Sequence, residues 1–179
     1  MHIVGFTGRK GSGKSTAAGY LVDQGYQLLS FAGPLKEISY CILDCFGVSD
    51  PTKSAVIANK ELVIPGFSVS YRQLLQSLGT EWGRRCIDND LWVMLMRRQL
   101  KSLSGVSHVV IDDVRFDNEA DLIRGMGGVV IHVDTKGKKA DDGHASEAGV
   151  VIDPNDFYVV NQFNDDFYDD VMNVLELIV

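Results

Sequence analysis

The chain has 179 residues, a formal net charge of -7, and apolar and charged fractions of 45% and 23%. That length suits one α/β domain with a real core and is short for two. The acidic balance argues against sequence-independent binding to duplex DNA, which rests on neutralising phosphates. No apolar run approaches the roughly 20 residues that cross a bilayer, and Met1 leads straight into Ile3-Val4-Gly5-Phe6 without a basic, apolar leader. The expectation is a soluble, cytoplasmic protein with no nucleic-acid or membrane partner.

Residues 2–7 read as a buried strand, and 14–24 as a helix stopped by Gly25. Residues 26–32 form a second apolar strand. A helix begins at Pro34 and places Leu35, Ile38, Ile42 and Cys45 on one face at spacings of three and four. Segment 47–70, with Pro51, Pro65, Gly47 and Gly66, is less regular and is expected to cover an active-site edge. Residues 71–87 are helical with Leu74, Leu75, Leu78 and Trp82 apolar, and a helix at about 90–103 follows. Then come a strand at 108–112, a helix at 118–126 closed by Gly127-Gly128, a strand at 129–134 and a polar loop at 135–143. Val159-Val160-Asn161 is a last short strand, and a helix at about 165–178 buries Phe167, Val171, Val174, Leu175 and Ile178.

Strands alternating with helices predict an α/β fold: a mostly parallel sheet with helices on both faces, which binds ligands at the carboxyl ends of its strands. No repeat or Pro/Ser-rich linker divides the chain, so 1–179 reads as a single domain. Cys41 and Cys45 lie one helical turn apart, but no partner pair at metal-ligand spacing exists. With Cys86 they are expected to be buried structural thiols in a reducing compartment.

Gly8-Arg9-Lys10-Gly11-Ser12-Gly13-Lys14-Ser15 fits G-x-x-x-x-G-K-[ST] at every specified position, after a predicted strand and before a predicted helix. Glycines let the backbone wrap closely around phosphate oxygens. The loop N–H groups form an anion nest reinforced by the positive end of the following helix. Lys14 would reach the β- and γ-phosphates of ATP and the Ser15 hydroxyl would hold Mg²⁺; Gly8, Gly11, Ser12, Gly13 and Thr16 complete the ATP-binding set. Lys10 and Arg115 join Lys14 as candidate catalytic cations.

Val109-Val110-Ile111 ends in Asp112-Asp113, an apolar strand capped by acids facing the phosphate loop. A carboxylate there can hold Mg²⁺ through its water shell. Adjacent strand residues point to opposite faces, so the pattern leaves Asp113 or Asp112 as the metal carboxylate.

Phe31-Ala32-Gly33-Pro34-Leu35-Lys36, Arg72 to Glu81, Asp113-Val114-Arg115 with Glu119, Gly127 to Val133, His144 to Gly149 and Val159-Val160-Asn161 together resemble the bacteriophage deoxynucleoside monophosphate kinases. Segment 47–70 carries no such motif. The resemblance implies a P-loop NTPase three-layer sandwich of the nucleoside monophosphate kinase type. It implies phosphoryl transfer from ATP to a deoxynucleoside 5′-monophosphate with Mg²⁺, an acceptor-covering segment at about 34–103 and a lid at about 135–147. It also implies that Lys36 and Arg72 contact the acceptor, that Gly79 and Thr80 belong to the nucleoside pocket, that Trp92 is a stacking wall, and that Asp113, Arg115 and Glu119 lie on the substrate and metal side. A homodimer is plausible for the family, and the compartment would be the host cytoplasm if the chain is phage-encoded.

Chemistry adds that Arg72, Gln76 and Thr80 share one helix face at spacing four, opposite Leu74, Leu78 and Trp82; a solvated helix face is the alternative. Trp92 suits the core as well as a stacking wall. His144, Ser146 and Glu147 are set aside as a hydrolase triad, because phosphoryl transfer needs positioning and charge compensation. The lid offers Lys136, Lys138 and Lys139 but no arginine, which leaves Arg115, or Arg84 and Arg85, to supply a guanidinium. Two other readings stay open on the residues alone: a kinase of another metabolite such as dephospho-coenzyme A, and a nucleotide-binding regulatory switch.

Overall fold

A computed structural model describes residues 1–135, 149–164 and 166–178. The lid lysines Lys136, Lys138 and Lys139, and His144, Ser146 and Glu147, lie outside the described residues. The backbone divides into two compact units, Met1–Phe31 with Met96–Val179, and Ala32–Leu95.

Among the described residues, the first unit is built on five strands: β1 (His2–Thr7), β2 (Gln27–Leu29), β3 (His108–Val114), β4 (Val129–Thr135) and β5 (Phe157–Asn161). All pairings are parallel, in the order β2-β3-β1-β4-β5. The chain fills the β3–β2 side of β1 before crossing to β4 and β5. The loop after β1 therefore sits where connections leave in opposite directions, the place where such sheets open a crevice. Helices α1 (Lys14–Asp23), α6 (Asp117–Gly125) and α7 (Asp166–Ile178) cover the sheet. Strand alternation sorts the faces. Val4 and Phe6 pack with Ala17, Leu21, Phe167 and Val171 of α1 and α7, whereas Gly5, between them, lies against Ile123 of α6. Gly25, with φ 89, stops α1 as expected.

Strand β3 runs two residues further than the apolar run suggested, so both acids lie inside it. On the α6 side, Arg124, His132 and the backbone N–H of Asp153 all converge on Asp156, whose side chain is 2% exposed.

The second unit holds α2 (Gly33–Cys45), α3 (Asp50–Ala58), α4 (Tyr71–Gln76), a π-helix over Ser77–Ile87, and the start of α5 (Leu91–Ser102). Its core is Leu43, Val56, Ile64 and Tyr71. Segment 47–70, expected to be irregular, contains α3. Pro51 stands in the first turn of that helix, where its missing N–H costs nothing. The buried face of α2 is Leu35, Ser39 and Leu43, one step round from the predicted stripe. Ser39 is tolerated there because its hydroxyl donates to Lys36 O and pairs with the Tyr71 hydroxyl at 2.9 Å. That rotation leaves Cys41 and Cys45 exposed, and Cys86 is exposed too, against the expectation of buried thiols.

The π-helix overturns the predicted face of 71–87. Its i→i+5 bonding winds the chain more widely than an α-helix and rotates every later side chain, so the face extrapolated from Arg72 and Gln76 does not hold beyond Ser77. Thr80 becomes buried and Trp82 is 43% exposed, the reverse of the sequence pattern. Among the described residues, no helix is long and apolar enough to cross a membrane.

Candidate active site

The turn between β1 and α1 takes its shape from three glycines in the left-handed region: Gly8 (φ 140), Gly11 (φ 76) and Gly13 (φ 102). Gly8 is the most constrained, since a Cβ there would lie 2.1 Å from Val133 O of β4. Lys14 is buried and its ammonium turns back along the loop, Nζ donating to Gly8 O at 2.6 Å and Arg9 O at 2.7 Å. The Ser12 hydroxyl is buried without a partner among the described residues. An unused donor inside a ring of backbone amides is what a phosphate oxygen would engage. Lys10 stands exposed at the tip of the loop and Thr16 is exposed in the first turn of α1.

Ser15 Oγ donates to Asp112 Oδ2 at 2.9 Å. Asp113 points the other way: Ser30 Oγ donates to its Oδ2 at 2.6 Å and the Phe31 N–H to its Oδ1 at 2.8 Å. Of the two adjacent acids, Asp112 thus stands beside the loop and Asp113 fastens the end of β2 to β3. A hydroxyl and one carboxylate are hard oxygen donors suited to Mg²⁺, which takes few protein ligands and completes its shell with water and phosphate. Among the described residues there is no cluster of three or more His, Cys, Asp or Glu that could hold a metal without such help.

A cavity of about 540 Å³ opens beside the loop, lined by Gly13, Lys14, Ser15 and Thr16 and walled by Tyr20, Asn161, Phe163 and Phe167. None of these wall residues was among the site residues expected from the sequence. The available signal was Asn161, a polar residue ending an apolar parallel strand, where ligands bind. On the same strand, Tyr158 donates across to Asp134 Oδ2 of β4 at 2.6 Å. That bond, with the Thr135 N–H, holds the Asp134 carboxyl below its ordinary range, and Arg9 of the loop adds to the effect.

Arg115 ends at the β3–α6 turn, where its N–H donates to Glu119 Oε2 at 2.7 Å; the Phe116 N–H also donates to that oxygen. Glu119 is 3% exposed, and these two bonds are the reach-back half of a helix N-terminal cap. This gives Glu119 a structural task at the start of α6.

In the second unit, Arg72 Nε donates to Glu61 Oε1 at 2.6 Å. Lys36 is half-buried in the first turns of α2. Trp92 is buried, its indole N–H donating to Gly79 O at 2.8 Å and its ring lying where a Cβ on Gly83 would be 2.6 Å away. Trp92 and Gly79 therefore form a packing contact between helices, and the stacking wall expected of Trp92 is not what its surroundings provide. Arg84 is likewise buried and donates to Asn89 O, while Arg85 is exposed.

A parallel sheet with a glycine-built anion loop, a buried lysine within it and a serine–aspartate pair at its edge defines a P-loop kinase fold. A crystal structure titled as a "putative kinase" from Chloroflexus aurantiacus has the same fold. It superposes with a TM-score of 0.52 over 99% of this chain and 95% of its own, at 13% identity. A family model described as deoxynucleotide monophosphate kinase matches residues 49–171. An Acanthamoeba polyphaga mimivirus protein named "Putative deoxynucleotide monophosphate kinase" is 35% identical over 190 residues, covering 98% of this chain and 97% of its own length. The deoxynucleotide monophosphate kinase of Enterobacteria phage T4 is 34% identical over 112 residues, 61% of this chain but 46% of that protein. The deoxynucleoside-5′-monophosphate kinase of Escherichia phage T5 is 29% identical over 59% of this chain and 45% of its own.

The chain belongs to the deoxynucleotide monophosphate kinase family, and it is a phosphotransferase. Membership favours this reading over the dephospho-coenzyme A kinase and switch readings.

Proposed function

We propose that the protein transfers the γ-phosphoryl group of ATP to a deoxynucleoside 5′-monophosphate, in a reaction that uses Mg²⁺. The observation that carries the site assignment is the loop itself: three positive-φ glycines around a buried lysine and an orphaned serine hydroxyl, opening on a cavity large enough for a nucleoside.

In this reading the loop amides, Ser12 Oγ and Lys14 Nζ bind the β- and γ-phosphates. Ser15 Oγ and the Asp112 carboxylate would hold the metal, which would neutralise the charge that develops on the phosphate oxygens. A phosphate oxygen of the acceptor attacks the γ-phosphorus, the bond to the β–γ bridging oxygen breaks, and ADP leaves with that electron pair. No general base is needed, because the acceptor oxygen is already anionic at neutral pH. Lys36 and Arg72 are assigned to the acceptor, Thr80 to its nucleoside, and Arg115 to the transferring group.

The test is turnover of ATP with each deoxynucleoside monophosphate in parallel, followed as ADP release. Stimulation of ADP formation by at least one of them, with a diphosphate product, is expected. ATP hydrolysis indifferent to every acceptor would overturn the assignment.

A further inference from the structure

One side chain outside the phosphate loop and outside the carboxylate strand ties the loop to the opposite wall of the cavity. Asn161 is the last residue of β5, in register with Thr135 of β4, and is 5% exposed. Both ends of its amide are used. Nδ2 donates to Ser12 O of the loop at 3.0 Å, and Oδ1 accepts the Phe163 N–H at 2.7 Å.

The two bonds act on two different parts of the cavity. The C=O and N–H of a trans peptide point in opposite directions, so holding Ser12 O against Asn161 also fixes where the Gly13 N–H points. The second bond closes a tight turn in which Phe163 has φ 59, the one described non-glycine residue in the left-handed region. Such a conformation persists only where its surroundings enforce it. The clamp is also close: a Cβ on Gly13 would lie 2.3 Å from Asn161 Nδ2. Of the short side chains, only an amide supplies a donor and an acceptor in fixed relation. Serine could replace one bond, and aspartate only the one to Phe163.

We propose that Asn161 is a positioning residue for the donor nucleotide: it orients the Ser12–Gly13 peptide for phosphate binding and sets the Phe163 turn as the facing wall. This rests on the reading of the loop as the ATP site.

Asn161→Asp keeps the size and the acceptor while turning the donor to Ser12 O into a repelling oxygen; Asn161→Ala removes both bonds. ATP affinity is measured by calorimetry, KM for ATP and for the acceptor by ADP release, and folding by circular dichroism. Both variants are expected to bind ATP more weakly by on the order of tenfold or more, with the acceptor KM within about twofold of wild type. Folded variants that bind ATP as wild type does would overturn the proposal, as would a loss of kcat with both KM values unmoved. If Asn161→Ala does not fold, the near-isosteric Asn161→Asp decides. Wild-type protein that fails to bind ATP would instead sink the site assignment beneath it.

Discussion

The Ser15 hydroxyl and the Asp112 carboxylate, 97 positions apart in the chain, meet at 2.9 Å where α1 begins and β3 ends. That meeting separates two neighbouring acids that the sequence could not tell apart. Asp112→Asn should raise the Mg²⁺ concentration needed for half-maximal activity and leave thermal stability near wild type. Asp113→Asn should instead cost about 1–3 kcal/mol of stability, through its bonds to Ser30 and Phe31. Magnesium titrations and urea denaturation of both variants check this, and the opposite pattern would put the metal on Asp113.

Lys14 donates to two carbonyls of the loop and is the natural partner of phosphate charge. Lys14→Ala should lower kcat by on the order of 10² or more while the fold is kept. Near-normal turnover in a coupled ADP assay would exclude the proposed mechanism.

Gly8 and Gly11 separate backbone strain from steric exclusion. Both have positive φ, but only Gly8 faces Val133 O, whereas nothing lies near a Cβ on Gly11. Gly11→Ala should cost about 1 kcal/mol or a little more, the strain alone. Gly8→Ala should cost clearly more, because β4 or the loop must move. Denaturation midpoints compare them, and equal losses would mean that the loop does not press on β4.

Asp156 should make stability depend on acid. Burial pushes its carboxyl upward, but Arg124, the Asp153 N–H and His132 outweigh that and hold it below the ordinary carboxylate range. A carboxylate whose folded value is depressed adds stability that is present above its unfolded value and lost as pH falls through the folded one. Wild type should therefore lose stability progressively below about pH 4, and Asp156→Asn should be less stable at neutral pH with a flatter acid limb. Parallel acid limbs in the two proteins would remove Asp156 as the cause.

Much of this molecule was legible without coordinates. The loop reads directly because its requirements are local: glycines where φ must be positive, then a lysine and a serine at the start of a helix. The strands read from β-branched runs such as Val109-Val110-Ile111, and their alternation with helices gave the parallel sheet. What misled was periodicity applied beyond its range. The stripe Arg72, Gln76 and Thr80 assumes α-helical winding, and the π-helix from Ser77 turns Thr80 inward and Trp82 outward. Likewise apolarity alone misplaces the face of α2, because Ser39 is buried where Tyr71 answers its hydroxyl.

By itself, then, the sequence determined the phosphate loop, the order of the elements and the parallel sheet, because each follows from interactions between residues close in the chain. Only the tertiary structure decided which aspartate stands beside Ser15, that Glu119 caps α6 and Trp92 packs against Gly79, and that Asn161 grips the loop from β5. Those outcomes depend on groups from separate strands and helices arriving within hydrogen-bonding distance, and no local pattern encodes that distance.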